Sequence, residues 1–358
     1  MAKKILITVG GTGGHLFPAQ ALAKNLLEHH PDCEVLFVGA KLYSNPFFDH
    51  TTFVAKEVSS ATFSFKKPLE LLIKGGKVAK GIVSSCQIIR SFSPNLVVGF
   101  GSFYSLPTLI AAKLCRIPFV LHEQNIIPGR VNRFLSRFAT FSSVTFSETR
   151  GRLKGVTILT HFPLRFKEAN KDVAYASLGL EKGRLTLLIH GGSQGAARIN
   201  QLIFQAACLL KEALPPFQVI HIVGSKEDEK RSQICWDRLG CPHYIRQFEH
   251  QMDLVMSVTD LLIGRAGASF LAEQIASETP GLLIPYPYAT DNHQEMNAKH
   301  FVHEVLGGDF LIEREATPQL LVTKINDIQK TLTQYKENIH RYKQNRNLPH
   351  FWELIMQE

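Results

Sequence analysis

The chain has 358 residues, enough for two ordinary domains that each bury a core. Its 45% hydrophobic and 20% charged residues exclude a disordered chain, and no apolar stretch approaches the roughly 20 residues that span a bilayer. The net charge of +9 favours anionic partners, either phosphorylated small molecules or an anionic bilayer face. Nucleic acid is disfavoured, because the basic residues are dispersed and no aromatic ladder accompanies them.

The amino terminus and the cysteines indicate the compartment. The first apolar run, residues 5–9, ends in glycines and is too short for a signal sequence, so it predicts a first strand. The six cysteines show no CxxC pair and no metal-like spacing, which predicts free buried thiols in a reducing compartment. We therefore expect a cytoplasmic protein whose membrane contact is peripheral.

An internal repeat organises the chain. Residues 5–27 and residues 186–210 each consist of an apolar strand, a glycine-rich turn and a helix with apolar positions at helical spacing. Apolar runs separated by helical patterns follow each copy: EVLFV, LVVGF and PFVLH, then FQVIHIV, DLLIG and GLLIP. This alternation predicts two tandem doubly wound α/β domains with parallel sheets. The join is predicted within residues 160–172, where Pro163 and a polar stretch interrupt the pattern, and a charged helical tail follows from about residue 331.

The first glycine turn is GGTGGH, residues 10–15. Glycines between a strand and a helix let the backbone approach a ligand, and the helix amino terminus favours negative charge. The turn is not a dinucleotide fingerprint, because Leu16 stands where the third glycine belongs, and no Walker lysine follows. His15 at the helix start is either a general base or a residue that caps or orients the loop, and the residues alone leave both open.

The second glycine turn is GGSQGA, residues 191–196. Its backbone N–H groups and the Ser193 hydroxyl, at a helix amino terminus, suit a diphosphate. One domain would then bind phosphates while the other presents a possible base. This division predicts transfer between two substrates in a cleft between the domains.

Two polar segments follow later strands. Glu273, about two turns into the helix after GRAGA (residues 264–268), suits ribose hydroxyls, although an ordinary solvated helix carboxylate is the alternative. The polar cluster at residues 291–297 suits sugar hydroxyls. No Asp-x-Asp pair exists to hold a divalent metal on a diphosphate, so we expect neither metal nor cofactor.

Residues 63–80 combine apolar and basic side chains: Phe63, Phe65, Leu69, Leu71, Leu72 and Ile73 with Lys66, Lys67, Lys74, Lys77 and Lys80. Such a segment suits a face on anionic lipid headgroups. The alternative is an amphipathic helix packed on its own sheet.

Six motifs in this order resemble the MurG family, the peptidoglycan N-acetylglucosaminyltransferases that convert lipid I to lipid II: GGTGGHLFPA, GFGSFYS, LHEQNIIPGRVNRFL, GGSQGA, GRAGASFLAE and DNHQEMNA. The resemblance covers essentially the whole chain. It implies a GT-B fold, in which two doubly wound Rossmann-like domains face each other across a cleft. The implied domains are an acceptor-binding, membrane-facing domain (1–162), a donor domain for UDP-GlcNAc (163–335) and a carboxy-terminal helix that can cross back to the first domain (336–358).

The resemblance also implies the substrate contacts. For the donor, Ser193, Gln194 and Arg165 would contact the diphosphate and Glu273 the ribose. Phe248 marks the neighbourhood of the uracil, and Gln294 with the backbone at Ala268 would contact the GlcNAc hydroxyls. On the acceptor side, the residues implied are Thr12, Gly13, Gly14 and His15 around the lipid diphosphate, with Asn125 facing the cleft.

The sequence departs from the family at three places. Phe103 replaces a hydroxyl-bearing residue, although Tyr104 is adjacent, and the linker reads HFPLR (residues 161–165) where Asn-Pro-Val-Arg is usual. Ala266 and Phe270 replace a common Ser and Thr near the phosphates. Each change removes a possible hydrogen bond of about 0.5–1.5 kcal/mol.

The resulting prediction is an inverting transferase that moves GlcNAc from UDP-GlcNAc to the C4 hydroxyl of MurNAc in lipid I. Its predicted location is the cytoplasmic face of the inner membrane, on an anionic surface and without nucleic acid. The alternatives are a UDP-sugar epimerase on the same fold and a non-catalytic, membrane-associated scaffold that binds nucleotide sugars.

Overall fold

The computed structural model describes residues 3–61, 68–164 and 169–358, except for the side chains of residues 68–72. The chain divides into two compact units, residues 1–165 with 348–358 and residues 166–347.

Unit 1 is built around a seven-stranded parallel sheet with the order β3-β2-β1-β4-β5-β6-β7. Its strands are β1 (Lys4–Val9), β2 (Glu34–Gly39), β3 (Val54–Glu57), β4 (Leu96–Gly99), β5 (Phe119–Glu123), β6 (Ser142–Val144) and β7 (Thr157–Leu159). Its helices are α1 (Gly13–His29), α2 (Pro68–Phe92), α3 (Leu106–Leu114) and α4 (Arg130–Leu135), with short 3-10 helices at Ser136–Phe138 and Ser147–Arg152. The strand order reverses between β1 and β4, which is where ligands bind in doubly wound sheets.

Unit 2 has a six-stranded parallel sheet with the order β10-β9-β8-β11-β12-β13. Its strands are β8 (Leu185–His190), β9 (Phe217–Ile222), β10 (His243–Arg246), β11 (Leu261–Gly264), β12 (Gly281–Leu283) and β13 (Gly308–Phe310). Its helices are α5 (Lys171–Leu178), α6 (Ala197–Ala213), α7 (Lys226–Arg238), α8 (Met252–Val258), α9 (Ala268–Ser277), α10 (His293–His303), α11 (Pro318–Lys330) and α12 (Leu332–Gln344), with 3-10 helices at Thr290–Asn292 and Glu313–Glu315. Here the order reverses between β8 and β11. The predicted repeat is therefore confirmed, because β1 and β8 occupy equivalent places in their sheets.

Both sheets are buried because their central strands carry apolar side chains on both faces. In unit 1, Leu16, Leu22 and Leu26 of α1 cover one face of the sheet, and α2 and α3 cover the other. In unit 2, α6 and α11 pack on one face together with the buried Trp236.

The last helix, α13 (Phe351–Gln357), belongs to unit 1. Phe351 and Ile355 are buried in the same core as α1, and Trp352 stacks on His29 with ring centroids 4.1 Å apart. The Lys3 ammonium donates to the carbonyl of Ile355 at 2.9 Å, near the negative end of the helix.

All six cysteines are free thiols, as predicted. Only Cys33 and Cys241 are buried as predicted; Cys86, Cys115 and Cys235 are half-buried, and the prediction is wrong for Cys208, which lies on the solvent face of α6 and is exposed.

Candidate active site

The β1–α1 turn holds His15 in a defined orientation. Thr12 precedes the helix in an extended conformation, but its hydroxyl does not cap the helix. It forms a hydrogen bond with His15 Nδ1 at 2.9 Å instead. The first turn of α1, which contains Gly13 and Gly14, therefore starts without a side-chain cap, and an uncapped helix start favours an anion.

The turn after β4 packs closely on the turn after β1. A Cβ atom at Gly10 would lie 2.4 Å from Ser102 Cβ, so only glycine permits this approach. Asn45 Nδ2 donates to the Gly11 carbonyl at 2.7 Å. The Tyr104 ring lies beside Gly11, whereas Phe103 packs on the apolar core. The structure therefore brings the neighbouring tyrosine, rather than residue 103, next to the first glycine turn.

Asn125 is positioned by a buried carboxylate that sequence reasoning missed. Glu123, the last residue of β5, accepts hydrogen bonds from the Asn125 backbone N–H at 3.0 Å and from Asn132 Nδ2 at 2.8 Å. The Gly129 N–H donates at 2.9 Å to Glu123 Oε2, the oxygen that also accepts from Asn132. Burial raises the pKa of Glu123, and these hydrogen bonds act in the opposite direction. A carboxylate at the end of the buried strand FVLHE was the only sequence signal of this role.

In unit 2 the β8–α6 turn has the geometry expected of a phosphate site. Gly192 and Gly195 have φ values of +90° and +73°, which only glycine adopts readily. The side chains of Ser193 and Gln194 have no hydrogen-bond partner among the residues that the structure describes. The helix begins after Ala196 without a side-chain cap. A row of backbone N–H groups and one hydroxyl therefore lies at the positive end of α6.

The β11–α9 turn lies next to it, because β8 and β11 are paired strands. α9 starts at Ala268, after Gly267, again without a side-chain cap. Glu273 lies in the second turn of α9 and is partly buried. Burial and, to a lesser extent, the negative charge of Asp253 raise the pKa of Glu273 to about 7. Its carboxyl group has no hydrogen-bond or ion-pair partner within the described parts of the chain.

The β12–α10 segment presents Gln294. Asp291 and Asn292 adopt left-handed conformations, with φ values of 52° and 55°, and turn the chain into α10. The Tyr286 N–H donates to Gln294 Oε1 at 2.9 Å, so the amide nitrogen of Gln294 remains as a donor. Asn297 Nδ2 donates to the Ala266 carbonyl at 3.1 Å and ties α10 to the neighbouring turn.

Two further residues were predicted to contact the donor. Phe248 is partly buried in the segment after β10, at the same carboxyl edge of the sheet, and its ring lies 4.8 Å from His250. Arg165 lies outside the described residues.

Phe270, one of the departures from the family pattern, fills space beneath the start of α9. Its ring contacts His190 edge-on, with centroids 4.6 Å apart. Burial lowers the pKa of His190 to about 4, so this imidazole is neutral at physiological pH. Residue 270 is thus an apolar packing residue here.

Unit 1 also carries a patch of aromatic and basic side chains, the α4 patch, made of Lys113, Phe134, Arg137 and Phe138. Phe134 is 53% exposed and Phe138 41% exposed. The Lys113 ammonium lies 4.4 Å from the centre of the Phe138 ring, and the Arg137 guanidinium 5.3 Å from that of Phe134. Such a surface suits a boundary between anionic headgroups and apolar chains.

The predicted membrane segment, residues 63–80, lies largely outside the described residues. Phe63, Phe65, Lys66 and Lys67 are not described, nor are the side chains of Leu69, Leu71 and Leu72. Of the remainder, Ile73, Lys77 and Lys80 are exposed on α2.

Neither a membrane-spanning helix nor a metal cluster is found where the structure can be described. Among residues 3–61, 68–164 and 169–358, no helix is both long and apolar enough to cross a bilayer. Within the same ranges, no three His, Cys, Asp or Glu side chains are grouped to hold a metal ion. Metal-independent chemistry stays a prediction.

Comparison with known proteins gives matches over both units. Residues 5–142 match the glycosyltransferase family 28 N-terminal domain, and residues 186–349 match its C-terminal domain. The chain is 41% identical over 349 residues to the UDP-N-acetylglucosamine--N-acetylmuramyl-(pentapeptide) pyrophosphoryl-undecaprenol N-acetylglucosamine transferase of Protochlamydia amoebophila, covering 96% of this chain and 92% of the relative. It is 36% identical over 339 residues to the protein of the same name from Thermodesulfovibrio yellowstonii, covering 91% and 89%.

Solved structures agree in fold. The crystal structure of Acinetobacter baumannii MurG is similar with a TM-score of 0.76, 23% identity and full coverage of both chains. A UDP-glucose:anthocyanidin 3-O-glucosyltransferase in complex with UDP is similar with a TM-score of 0.69 and 14% identity, covering 96% of this chain and 94% of that one. These likenesses confirm the predicted GT-B class with two doubly wound domains.

Proposed function

The chain belongs to the MurG family within glycosyltransferase family 28, and from this premise we propose that it transfers GlcNAc from UDP-GlcNAc to the C4 hydroxyl of MurNAc in lipid I. The product is lipid II, a precursor of peptidoglycan. The names of the relatives state this donor and this lipid-linked acceptor. Nucleic acid is not among the proposed partners.

The burial of the Glu273 carboxyl group is the observation that supports the donor assignment most strongly. A partly buried carboxyl group with no partner among the described residues costs folding free energy, because burial disfavours its charged form. A ribose supplies two vicinal hydroxyl donors that would satisfy both carboxylate oxygens. We therefore assign the ribose to Glu273 and the UDP-GlcNAc site to unit 2.

The other donor contacts follow from the helix starts. The uncapped ends of α6 and α9 lie after adjacent strands, and both favour the charge of a diphosphate. Ser193 and Gln194 supply donors from the β8–α6 turn, and Arg165 is proposed to contact the same phosphates. The backbone at Ala268 and the amide of Gln294 are proposed to contact the GlcNAc hydroxyls, and Phe248 is proposed to lie near the uracil.

We assign the acceptor to unit 1. The uncapped start of α1, with Thr12, Gly13 and Gly14, suits the diphosphate of the lipid carrier. Asn125, held by the buried Glu123, supplies an amide that can bind the acceptor sugar or peptide.

His15 is proposed as the general base. The Thr12 hydroxyl accepts a hydrogen bond when the imidazole is protonated at Nδ1, and Nε2 of that tautomer has the lone pair needed to accept a proton. The C4 hydroxyl then attacks the anomeric carbon of GlcNAc and gives its proton to His15. The bond from the anomeric carbon to the diphosphate breaks with inversion, and UDP leaves with the electron pair, stabilised by the helix starts of unit 2.

The proposed location is the cytoplasmic face of the inner membrane, with peripheral binding to anionic lipid. The α4 patch supports this proposal, since its exposed rings are accompanied by two cations and can insert beside anionic headgroups. The exposed side chains on α2 add further positive charge and one apolar residue.

The decisive experiment measures transfer of radiolabelled GlcNAc from UDP-GlcNAc to a lipid I analogue. Label in the lipid product is the expected result, and Glu273→Gln should reduce it mainly through the KM for the donor. UDP-GlcNAc incubated alone should remain unchanged, because a rearranged sugar would indicate an epimerase. Nucleotide binding without any transfer would indicate the scaffold and overturn the proposal.

A further inference from the structure

Arg265 is a buried cation between two turns of unit 2. Its side chain is only 10% exposed, and Nη1 donates to the carbonyls of Ile284 at 3.0 Å and Pro285 at 3.3 Å. These carbonyls lie just beyond the end of β12. A buried guanidinium requires such partners, since an uncompensated charge is costly in a protein interior.

Glu313 compensates the charge of Arg265 from a third segment. Its carboxylate Oε2 lies 2.6 Å from Arg265 Nη1, and its side chain is 16% exposed. Oε2 makes no aligned hydrogen bond among the described residues, so the contact is an ion pair. The Arg265 guanidinium also lies 5.3 Å from the centre of the Tyr286 ring. Arg265 thus joins the segment after β13 to the segment after β12.

These contacts connect Arg265 to Gln294, the side chain proposed to bind the sugar. The N–H of Tyr286, whose ring contacts Arg265, donates to Gln294 Oε1. On the other side, Arg265 precedes Ala266, whose carbonyl accepts from Asn297 of α10. The guanidinium therefore fixes the spacing between the start of α9 and the segment that presents Gln294.

We propose that Arg265 and Glu313 are positioning residues that hold residues 284–294 in place for the sugar of the donor. The proposal rests on the assignment of the UDP-GlcNAc site to unit 2. Neither side chain is proposed to touch the substrate. The nucleotide contacts lie on α6, α9 and the segment after β10, so the pair should matter for the sugar and much less for UDP.

The test compares Glu313→Gln with the wild type by calorimetric titration of UDP-GlcNAc and of UDP. We expect the affinity for UDP-GlcNAc to fall about tenfold, which is the size of one weakened hydrogen bond to the sugar. The affinity for UDP should change by less than about twofold, and Glu313→Asp should restore part of the sugar-dependent affinity. Equal weakening of both ligands, or of neither, would overturn the proposal.

The matched control is Lys336→Gln. It breaks the ion pair with Asp260 (3.0 Å), which lies before β11 at the opposite edge of the sheet. This variant should bind both ligands as the wild type does.

Hydrogen exchange provides a readout that does not depend on ligand. Glu313→Gln should accelerate exchange of the Tyr286 amide about tenfold, while the core amides of β8 stay protected. An unchanged exchange rate of the Tyr286 amide would exclude the positioning role. If the wild type bound no uridine nucleotide, the donor assignment itself would fail, and the exchange result would still decide whether the pair holds this segment.

Discussion

Replacing Glu273 by glutamine should stabilise the ligand-free protein above neutral pH and weaken binding of the donor. Glutamine has nearly the same shape but carries no charge. The folded protein raises the pKa of Glu273 from 4.5 to about 7, chiefly by burial. The carboxylate is therefore held at an energetic cost that the ribose hydroxyls would offset.

The size of this effect follows from the pKa shift. Raising the pKa from 4.5 to about 7 corresponds to about 3 kcal/mol, at 1.36 kcal/mol for each pH unit. Between pH 4.5 and 7 the folded state keeps a proton that the unfolded state has lost, so stability falls as pH rises through this window. The wild type should bear the full cost above pH 7 and none below pH 4.5. The stability gained by Glu273→Gln should follow the same pH dependence.

Urea unfolding of both proteins at pH 5 and pH 8 measures this difference. We expect the free energies of unfolding to differ by less than about 1 kcal/mol at pH 5 and the variant to be clearly more stable at pH 8. In a titration with UDP, the wild type should bind more tightly than the variant. A hydrogen bond to a charged group contributes about 1.5–3 kcal/mol, or about 10- to 100-fold in affinity. The affinity of the wild type for UDP should rise with pH through about 7, and that of the variant should not.

Glu278, at the end of the same helix, provides a control in which replacement by glutamine should change the stability in the opposite direction. Burial would raise the pKa of Glu278, but hydrogen bonds from Lys343 and His340 lower it overall. Glu278→Gln should therefore reduce stability at pH 8 and leave UDP binding unchanged. If Glu273→Gln were no more stable at pH 8 than the wild type, or bound UDP equally well, the assignment of the ribose to Glu273 would be wrong.

Three further predictions concern other parts of the chain. His15→Ala should lower kcat by about 10²–10⁴ with UDP affinity unchanged, and a loss below about tenfold would exclude a general base. Gly224→Ala should destabilise unit 2 by more than about 1 kcal/mol in urea unfolding and weaken UDP binding, because the residue has φ +84° and a Cβ would lie 2.4 Å from Gly195 Cα. Wild-type UDP affinity in a stable Gly224→Ala protein would contradict this. Changing Phe134 and Phe138 to serine should reduce flotation with anionic vesicles while transfer to a water-soluble acceptor stays normal. Undiminished flotation would exclude the α4 patch as the membrane contact.

The fold could be predicted because its signals are local. Apolar strand, glycine turn and amphipathic helix recur at residues 5–27 and 186–210, and a fully apolar strand is a reliable sign of a parallel sheet. The substrate contacts of Ser193 and Glu273 stay predictions, but their placement after paired strands follows from the same pattern.

The supporting contacts could not be predicted because they join distant segments. Arg265 and Glu313 are 48 positions apart, and nothing in either neighbourhood indicates a partner. Glu123 could be noticed as a charge at the end of an apolar strand, but its partner Asn132 lies in α4 and has no signature of its own. Such pairs depend on how strands are ordered in the sheet, which periodicity does not reveal.

The membership of α13 in unit 1 has a consequence for biosynthesis. Phe351 fills the core beside Phe100 and His122, with ring centroids 6.3 Å and 5.2 Å away. A ribosome makes these residues after the whole of unit 2, so the amino-terminal core stays unfinished until unit 2 has been synthesised. Unit 2 is complete earlier and can fold first, which reverses the usual amino-to-carboxy order of domain folding. A nonsense codon between residues 347 and 351 would therefore remove Phe351 and Ile355 and damage the half of the protein that was synthesised first.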